Sequence, residues 1–250
     1  MSARYSVTVG TSDLRAALAS TLVHACQDPE LPDLMRVRIT PGAVNVAVSA
    51  TDRYTLALAL ASHMNDGEIS DDTEPFDLLP DDVAKILSIF KAGKESGDDP
   101  QYWLRLDVAR EHVTITDASG LIDGRSFKVP RLKHDDGDVL AGLPNLVARA
   151  HNSDAALLED MAVNGKLLAR FETAAKSYHN PLIIESHVGT HALLIRCGES
   201  FLGLLIPVVE TPEKLVERKE WADAWARRLP VAEPDGPVYH AGPSHSAGEQ

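Results

Sequence analysis

The chain of 250 residues has few cysteines and no long apolar run. Its two cysteines, Cys26 and Cys197, are too few for a disulfide framework, and this favours a reducing compartment. No stretch reaches the roughly 18 consecutive apolar residues of a membrane span. Residues 1–5 lack the basic and apolar regions of a secretory signal. We therefore expect a cytoplasmic protein with no membrane partner.

The usual sequence signs of catalysis are also missing. No Gly-x-Ser-x-Gly elbow occurs, and no glycine loop has the spacing of a P-loop. Acidic turns are common, and no second cluster of ligands accompanies the acidic run that follows His134. We expect no catalytic residue, cofactor or metal. The alternative from another class is a small hydrolase or metal enzyme that uses His134, Asp135, Asp136 and Asp138.

The composition is that of an ordinary globular protein, with 44% hydrophobic and 24% charged residues. The length suggests one large domain or two small ones. The formal net charge of −13 argues against general attraction to nucleic acid. Contact with nucleic acid depends on one basic face, however, so the sum does not exclude it. Residues 65–82 carry eight acids and no base, which predicts a solvated loop.

The first 130 residues predict strand–helix–three strands, and then the same order again. In the first helix Leu14, Leu18 and Leu22 recur at i, i+4 and i+8, as on one apolar face. Leucines alternate along residues 54–61, as in a half-buried strand. Pro80 begins the second helix and Gly93 ends it. The remaining strands are predicted at residues 5–11, 36–40, 43–50, 102–109, 112–117 and 126–130.

The rest of the chain predicts a shorter version of this order. Residues 140–151 are predicted helical and 156–162 extended. Asn164 is predicted to cap a helix that runs to about Tyr178. A three-strand meander then follows, and a charged helix over 212–229 contains Trp221 and Trp225 at i and i+4. The meander strands are predicted at residues 182–187, 192–196 and 201–208.

Basic side chains collect on the helices, away from their apolar stripes, whereas acids collect in loops. Lys166 and Arg170 are one helical turn apart and share a face. This segregation could place a cationic helical surface on an acidic body. The alternative is the ordinary wet side of amphipathic helices. The candidate cationic set is Arg15, His24, Lys85, Lys91, Lys94, Lys166, Arg170 and Lys176.

One segment carries a resemblance to a known family. The string Val-Ser-Ala-Thr-Asp-Arg-Tyr-Thr-Leu-Ala at 48–57 resembles the signature strands of bacterial DNA polymerase III β sliding clamps. Thr51 and Asp52 match the family's pattern, as do the Leu-Ala residues at 56–57, whereas Arg53 replaces a glycine and Thr55 an arginine. Segments similar to the family's other motifs follow in the same order at 76–80, 121–125, 163–164 and 204–208. The resemblance covers about residues 5–208.

The resemblance implies an α+β fold of DNA-clamp (processivity-fold) modules, with antiparallel sheets outside and paired helices on the inner face. Residues 1–130 would form a first module and 131–210 a second, shortened one. Beyond the resemblance, the residues themselves predict a charged C-terminal helix at 211–230 and a disordered tail, rich in Pro, Gly, Ser and His, at 231–250.

The resemblance also implies a function, that of a non-enzymatic sliding clamp. Such a ring encircles duplex DNA and tethers a replicative polymerase. The implied partners are double-stranded DNA, peptides of the polymerase and clamp loader, and further copies of the chain, with a trimer expected if six modules close the ring. The cationic set would face DNA, through phosphate contacts that permit sliding. The implied peptide pocket comprises Thr51, Arg53, Tyr54, Leu56, Pro130, Leu204, Ile206 and Pro207.

The shortened second module supports an alternative function. The chain would then be a clamp-derived interaction module that binds or sequesters clamp partners without encircling DNA. For Leu56 and Leu204, plain core packing is the alternative to a pocket role.

Overall fold

Two βαβββ units open the fold, as the sequence predicts. A computed structural model describes residues 4–64, 69–70, 73–93, 101–132, 138–157 and 161–229. The first unit comprises β1 (Tyr5–Gly10), α1 (Thr11–Leu22), β2 (Val37–Pro41), β3 (Asn45–Thr51) and β4 (Thr55–Met64). The second comprises β5 (Phe76–Leu78), α2 (Pro80–Ile89), β6 (Trp103–Val108), β7 (His112–Asp117) and β8 (Ser126–Pro130).

The two units exchange their first strands. β5 pairs with β2 of the first unit, whereas β1 pairs with β6 of the second along all six of its residues. Each unit's own sheet is therefore completed by the other unit. The exchange stabilises the contact between the units, because separating them would break the backbone hydrogen bonds of both the β1–β6 and the β2–β5 ladders.

A third βαβββ unit follows, preceded by an extra helix. It contains the short β9 (Ala155–Ala156) and a broken helix, in which α4 (Gly165–Leu168) and α5 (Glu172–Tyr178) flank a 3₁₀ turn. The predicted cap is confirmed, since the Asn164 side chain accepts from the Lys166 N–H. The remaining elements are α3 (Leu143–Asn152), β10 (Leu182–His187), β11 (Leu193–Cys197), β12 (Phe201–Leu205) and α6 (Pro212–Arg228).

β4 joins the third unit to the first. Its residues from Thr55 to Ala59 pair with β12, and its far end pairs with β1 on the same edge. β3 occupies the other edge, so the described strands form one sheet in the order β8-β7-β6-β1-β4-β12-β11-β10-β9, with β3, β2 and β5 branching from β4. Residues up to Val208 form one compact unit, and those from Val209 on form a second. The division into modules at residue 130 stays a prediction, and residues 231–250 lie outside the described part.

The helix-facing side of β4 is formed by alanines rather than by its alternating leucines. Ala57, Ala59 and Ala61 are almost fully buried against the layer of α1, α2 and α5, and the intervening leucines point to the other face. Alanines permit this because their small side chains let α1 approach the strand closely. Leu56 instead joins a second core under α3. β4 is therefore covered on both faces near Leu56, and the alternating leucines do not mark the helix-facing side. Towards its far end, Ser62 and Met64 are exposed.

Phe171 anchors the third unit's helix to this core. It is fully buried and its ring lies edge-on to Phe201, with 6.3 Å between the ring centroids. Gly203 on β12 leaves room for it. A Cβ there would lie 2.4 Å from Phe171 Cε1 and 3.0 Å from the Leu56 carbonyl oxygen. The glycine is required by close packing.

We predict that Gly203→Ala lowers the free energy of unfolding by about 1–3 kcal/mol, because the added methyl group overpacks the core. Gly165→Ala is the matched control, since a Cβ there would meet nothing within 4 Å. Urea unfolding of both variants measures the difference. Equal stability of the two variants would contradict this account of the packing.

Candidate functional site

The structure brings six of the eight predicted pocket residues together. They line an apolar pocket of about 200 Å³ beside the β3–β4 turn and the end of β12. Pro130 and Pro207 are not part of the lining. Pro130 ends β8, which lies four strands from β4 in the sheet order. Pro207 directly follows Ile206, and successive side chains of an extended chain point in opposite directions, so Pro207 points away from the pocket. The six are Thr51, Arg53, Tyr54, Leu56, Leu204 and Ile206.

The wall that sequence reasoning missed comes largely from residues 139–146. Val139 lies in a 3₁₀ turn, and Leu143 and Leu146 lie on α3. Leu143 is buried, whereas Val139 and Leu146 remain 51% and 43% exposed, so α3 both packs on the sheet and leaves apolar surface at the pocket. The sequence predicts a helix over residues 140–151, which include Leu143 and Leu146. No sequence signal showed that α3 packs beside β12. Leu34 and Thr55 complete the lining.

A buried ion-pair network fixes this wall. Asp138 accepts from the Leu140 N–H at 3.1 Å through one oxygen and from Arg38 Nη1 at 2.6 Å through the other. Arg38 also donates twice to Asp77, at 2.8 and 3.0 Å. Arg38 and Asp77 are buried on β2 and β5. Because an unpaired buried charge is costly, this network holds the start of the wall against the sheet.

Asp52 organises the β3–β4 turn. Its Oδ1 accepts from the backbone N–H groups of Tyr54 and Thr55, at 3.0 and 2.8 Å. Burial opposes ionisation, but the hydrogen bonds from Thr55 and the Arg170 guanidinium hold the pKa of Asp52 below its ordinary value. The Ile206 N–H donates to the Tyr54 carbonyl at 2.9 Å and so ties the turn to the end of β12. The pocket rim is therefore rigidly built.

Arg53 occupies a left-handed backbone position, with φ of 77°. This is the position where the resembled family has glycine. A non-glycine residue in this region costs about 1–2 kcal/mol, which the surrounding hydrogen bonds must offset. The exposed Arg53 side chain brings charge to the rim of the pocket.

Arg170, predicted to face DNA, instead supports the turn. Its Nη1 donates to Asp52 Oδ2 and, at 2.9 Å, to Thr55 Oγ1. Lys166, on the same predicted face, is exposed. The prediction is therefore corrected for Arg170, because a carboxylate distant in sequence binds its guanidinium.

The prediction is wrong for His24. Its ring is fully buried, 4.6 Å from the Phe171 ring centroid, and neither ring nitrogen has a partner among the described residues. Burial, together with the charge of Arg170, lowers the pKa of His24 to about 3. His24 is thus a neutral core residue and cannot contact DNA.

Arg15 is likewise corrected to a structural role. Its Nη1 donates to the carbonyls of Leu87 and Phe90 and satisfies the C-terminal end of α2. Lys85 and Lys176 are exposed and pair with Asp82 and Glu172, at 2.9 and 2.7 Å.

Two of the remaining predicted lysines lie at the surface. Lys91 and Lys166 are exposed. Lys94 lies outside the described residues. The exposed cations that the structure places on the helix layer are therefore Lys85, Lys91, Lys166 and Lys176.

The alternative metal site finds no support in the described residues. Asp138 is engaged by Arg38, and His134, Asp135 and Asp136 lie outside the described part. Across the described ranges, no three His, Cys, Asp or Glu side chains cluster as metal ligands.

No helix in the described part of the chain is long and apolar enough to cross a membrane.

This combination of exchanged βαβββ units, one-sided helix layer and sheet continuing into a third unit defines the sliding-clamp fold. The DNA polymerase sliding clamp from Bacillus subtilis matches with a TM-score of 0.56 and 12% identity, over 83% of this chain and 65% of that one. DNA polymerase III β subunit from Thermotoga maritima matches with a TM-score of 0.58 and 13% identity, over 84% and 66%. The sliding clamp from Pseudomonas aeruginosa, solved bound to griselimycin, matches with a TM-score of 0.58 and 9% identity, over 84% of this chain and 67% of that one.

The chain thus has the α+β fold of these clamps and spans about two-thirds of their length. No protein-family model matches the sequence, and no curated protein does. The likeness is one of fold.

We predict a pH-dependent stability that arises from His24. Its ordinary pKa of 6.5 falls to about 3 in the folded state, so below pH 6.5 the unfolded chain binds a proton that the folded chain does not. Above pH 6.5 the titration of His24 therefore does not change the free energy of unfolding. Below pH 6.5 it lowers that free energy by about 1.4 kcal/mol for each unit that the pH falls. Urea unfolding between pH 6.5 and 4.5 measures this slope. His24→Leu should remove it, and exposed His191→Gln should keep it. An unchanged slope in His24→Leu would refute the assignment.

We also predict energetic coupling between Asp52 and Arg170. Asp52→Asn, Arg170→Met and the double variant should give a coupling energy of about 1 kcal/mol in the unfolding free energy. The reason is that the pair is mostly shielded from solvent, with the Asp52 side chain 11% and the Arg170 side chain 29% exposed. Glu172 and Lys176, which are 65% and 70% exposed, form the control pair. That pair should couple by less than about 0.5 kcal/mol. No difference between the two cycles would contradict a supporting role for Arg170.

Proposed function

We propose that the protein is a sliding clamp, a non-catalytic processivity factor that encircles duplex DNA and holds a replicative polymerase through short peptides. The observation that carries the proposal is the apolar pocket, formed on a clamp fold at the elements where the resemblance implies one. Polymerase and clamp loader peptides would be its ligands.

The pocket is suited to a short apolar segment. Leu56 and Leu204 form its base, and both are more than nine-tenths buried. Val139, Leu146 and Ile206 are between 41% and 51% exposed and would be covered by a ligand. Burying such side chains supplies about 25 cal/mol per Å² of apolar surface, the driving force of most peptide recognition.

Ring closure would use the ends of the sheet. β8 pairs only with β7 among the described strands, and β10 meets β9 only at Ser186 and His187. Both strands therefore offer backbone groups for pairing with another copy. Ile183 and Ile184 on β10 are 48% and 42% exposed, as expected of residues covered on assembly. Since the chain spans about two-thirds of the solved clamps, we propose three copies per ring.

DNA contact would come from the helix layer. α1 packs against both α2 and α5, and the four exposed lysines lie on α2, α4, α5 or just beyond α2. Contacts from flexible lysines to phosphates carry no sequence information and allow sliding. The net charge of −13 disfavours DNA on the rest of the surface.

A second candidate function is favoured by the placement of three predicted DNA-facing side chains. Arg15 and Arg170 bind protein groups, and His24 is buried and neutral, so the cationic surface is thinner than the sequence indicated. A clamp-derived module that binds clamp partners through the pocket, without encircling DNA, needs no such surface.

We predict retention on nicked circular DNA and loss after linearisation, together with a native mass of three chains by light scattering. Lys91→Glu/Lys166→Glu/Lys176→Glu should weaken retention and lower the slope of log affinity against log salt by up to about 3. The control, Arg110→Glu/Lys214→Glu/Lys219→Glu, makes the same change of charge at other exposed positions.

Other outcomes separate the candidates. A monomer that leaves circular DNA but binds peptides would favour the interaction module. A protein that binds neither DNA nor peptides would contradict both functions.

A further inference from the structure

Arg53 is the charged residue of the pocket lining. The other described lining residues are leucine, isoleucine, valine, threonine and Tyr54. Arg53 is also exposed, so it lies where the apolar pocket opens to solvent. A ligand that fills the pocket would therefore bring its flanking residues close to a positive charge.

The backbone that carries Arg53 is held in place. Asp52 accepts from two N–H groups that follow Arg53, and the Arg53 N–H donates to Thr51 Oγ1 at 3.1 Å. Thr51 Oγ1 in turn donates to the Thr55 carbonyl at 2.7 Å. These bonds maintain φ at 77°, a conformation that an arginine adopts only at a cost. The side chain therefore projects from a rigid rather than a flexible loop.

No carboxylate of the described residues forms an ion pair with Arg53. The adjacent Asp52 is already bound by Arg170 and by the Thr55 N–H. An arginine can donate two parallel hydrogen bonds to a carboxylate, and partial desolvation by an apolar ligand strengthens that interaction.

We propose that Arg53 makes the pocket select peptides with an aspartate or glutamate next to their apolar anchor. The inference rests on the proposed peptide-binding function and specifies its ligand. Acidic peptides would gain a bidentate contact at the rim. Basic peptides at the same position would be repelled.

The probes are fluorescein-labelled peptides with adjacent leucines in a serine background, carrying Asp, Asn or Lys at successive flanking positions. Fluorescence anisotropy at low salt should show one position where Asp binds about fivefold tighter than Asn, the range of a well-formed exposed ion pair. The preference should weaken as salt is added. Arg53→Gln should abolish it, and Arg53→Glu should reverse it in favour of Lys. Arg110→Glu, at an exposed turn away from the pocket lining, should leave it unchanged.

The outcomes distinguish this inference from the function it rests on. Equal binding of Asp and Asn peptides at every position, with binding lost in Leu146→Glu, would overturn the role of Arg53 and leave the pocket's function standing. No binding of any peptide would overturn both. Circular dichroism of each Arg53 variant shows whether it folds. Arg53→Gly, which relieves the left-handed strain, must also lose the preference.

Discussion

The position of β4 is the constraint on which the rest of the structure depends. It is hydrogen-bonded along both edges, to β3 on one and to β12 and β1 on the other. Near the β3–β4 turn both of its faces are covered, by the helix layer over Ala57 and Ala59 and by the α3 core over Leu56. A strand that is paired along both edges can hold two different units in one sheet. This is what places the β3–β4 turn beside the end of β12.

The β3–β4 turn contacts both the helix layer on one face of the sheet and the pocket on the other face. Asp52 is bound by Arg170 from the helix layer, and the residues around it form the rim of the pocket on the far side of the sheet. The third unit's helix and the pocket rim thus share one partly buried hydrogen-bond network. Charge placed there serves to position the turn, because a partly desolvated carboxylate requires several donors.

Much of the architecture could be predicted from the sequence because it is local. The twofold strand–helix–three-strand order, the cap at Asn164 and the helix at Pro212–Arg228 follow from periodicity and capping chemistry. Six pocket residues followed from the resemblance, since all six lie within the two short motifs at residues 48–57 and 204–208, which the β4–β12 pairing brings together. Arg53 was also visible in the sequence, as a departure from glycine. Its φ then supplied the physical meaning of that glycine.

The sequence by itself determined the order of elements and six of the residues that line the pocket, whereas the tertiary structure supplied the wall from α3 and decided which polar side chains are free. Arg170 and Lys166 share a predicted face, yet Arg170 binds a carboxylate 118 residues away. His24 is buried by Phe171, which lies far along the chain. α3 became a pocket wall through the Arg38–Asp138 pair, which spans 100 residues. Periodicity reports which side of an element is apolar, but the partner of a long or buried polar side chain depends on contacts that only the folded chain brings together.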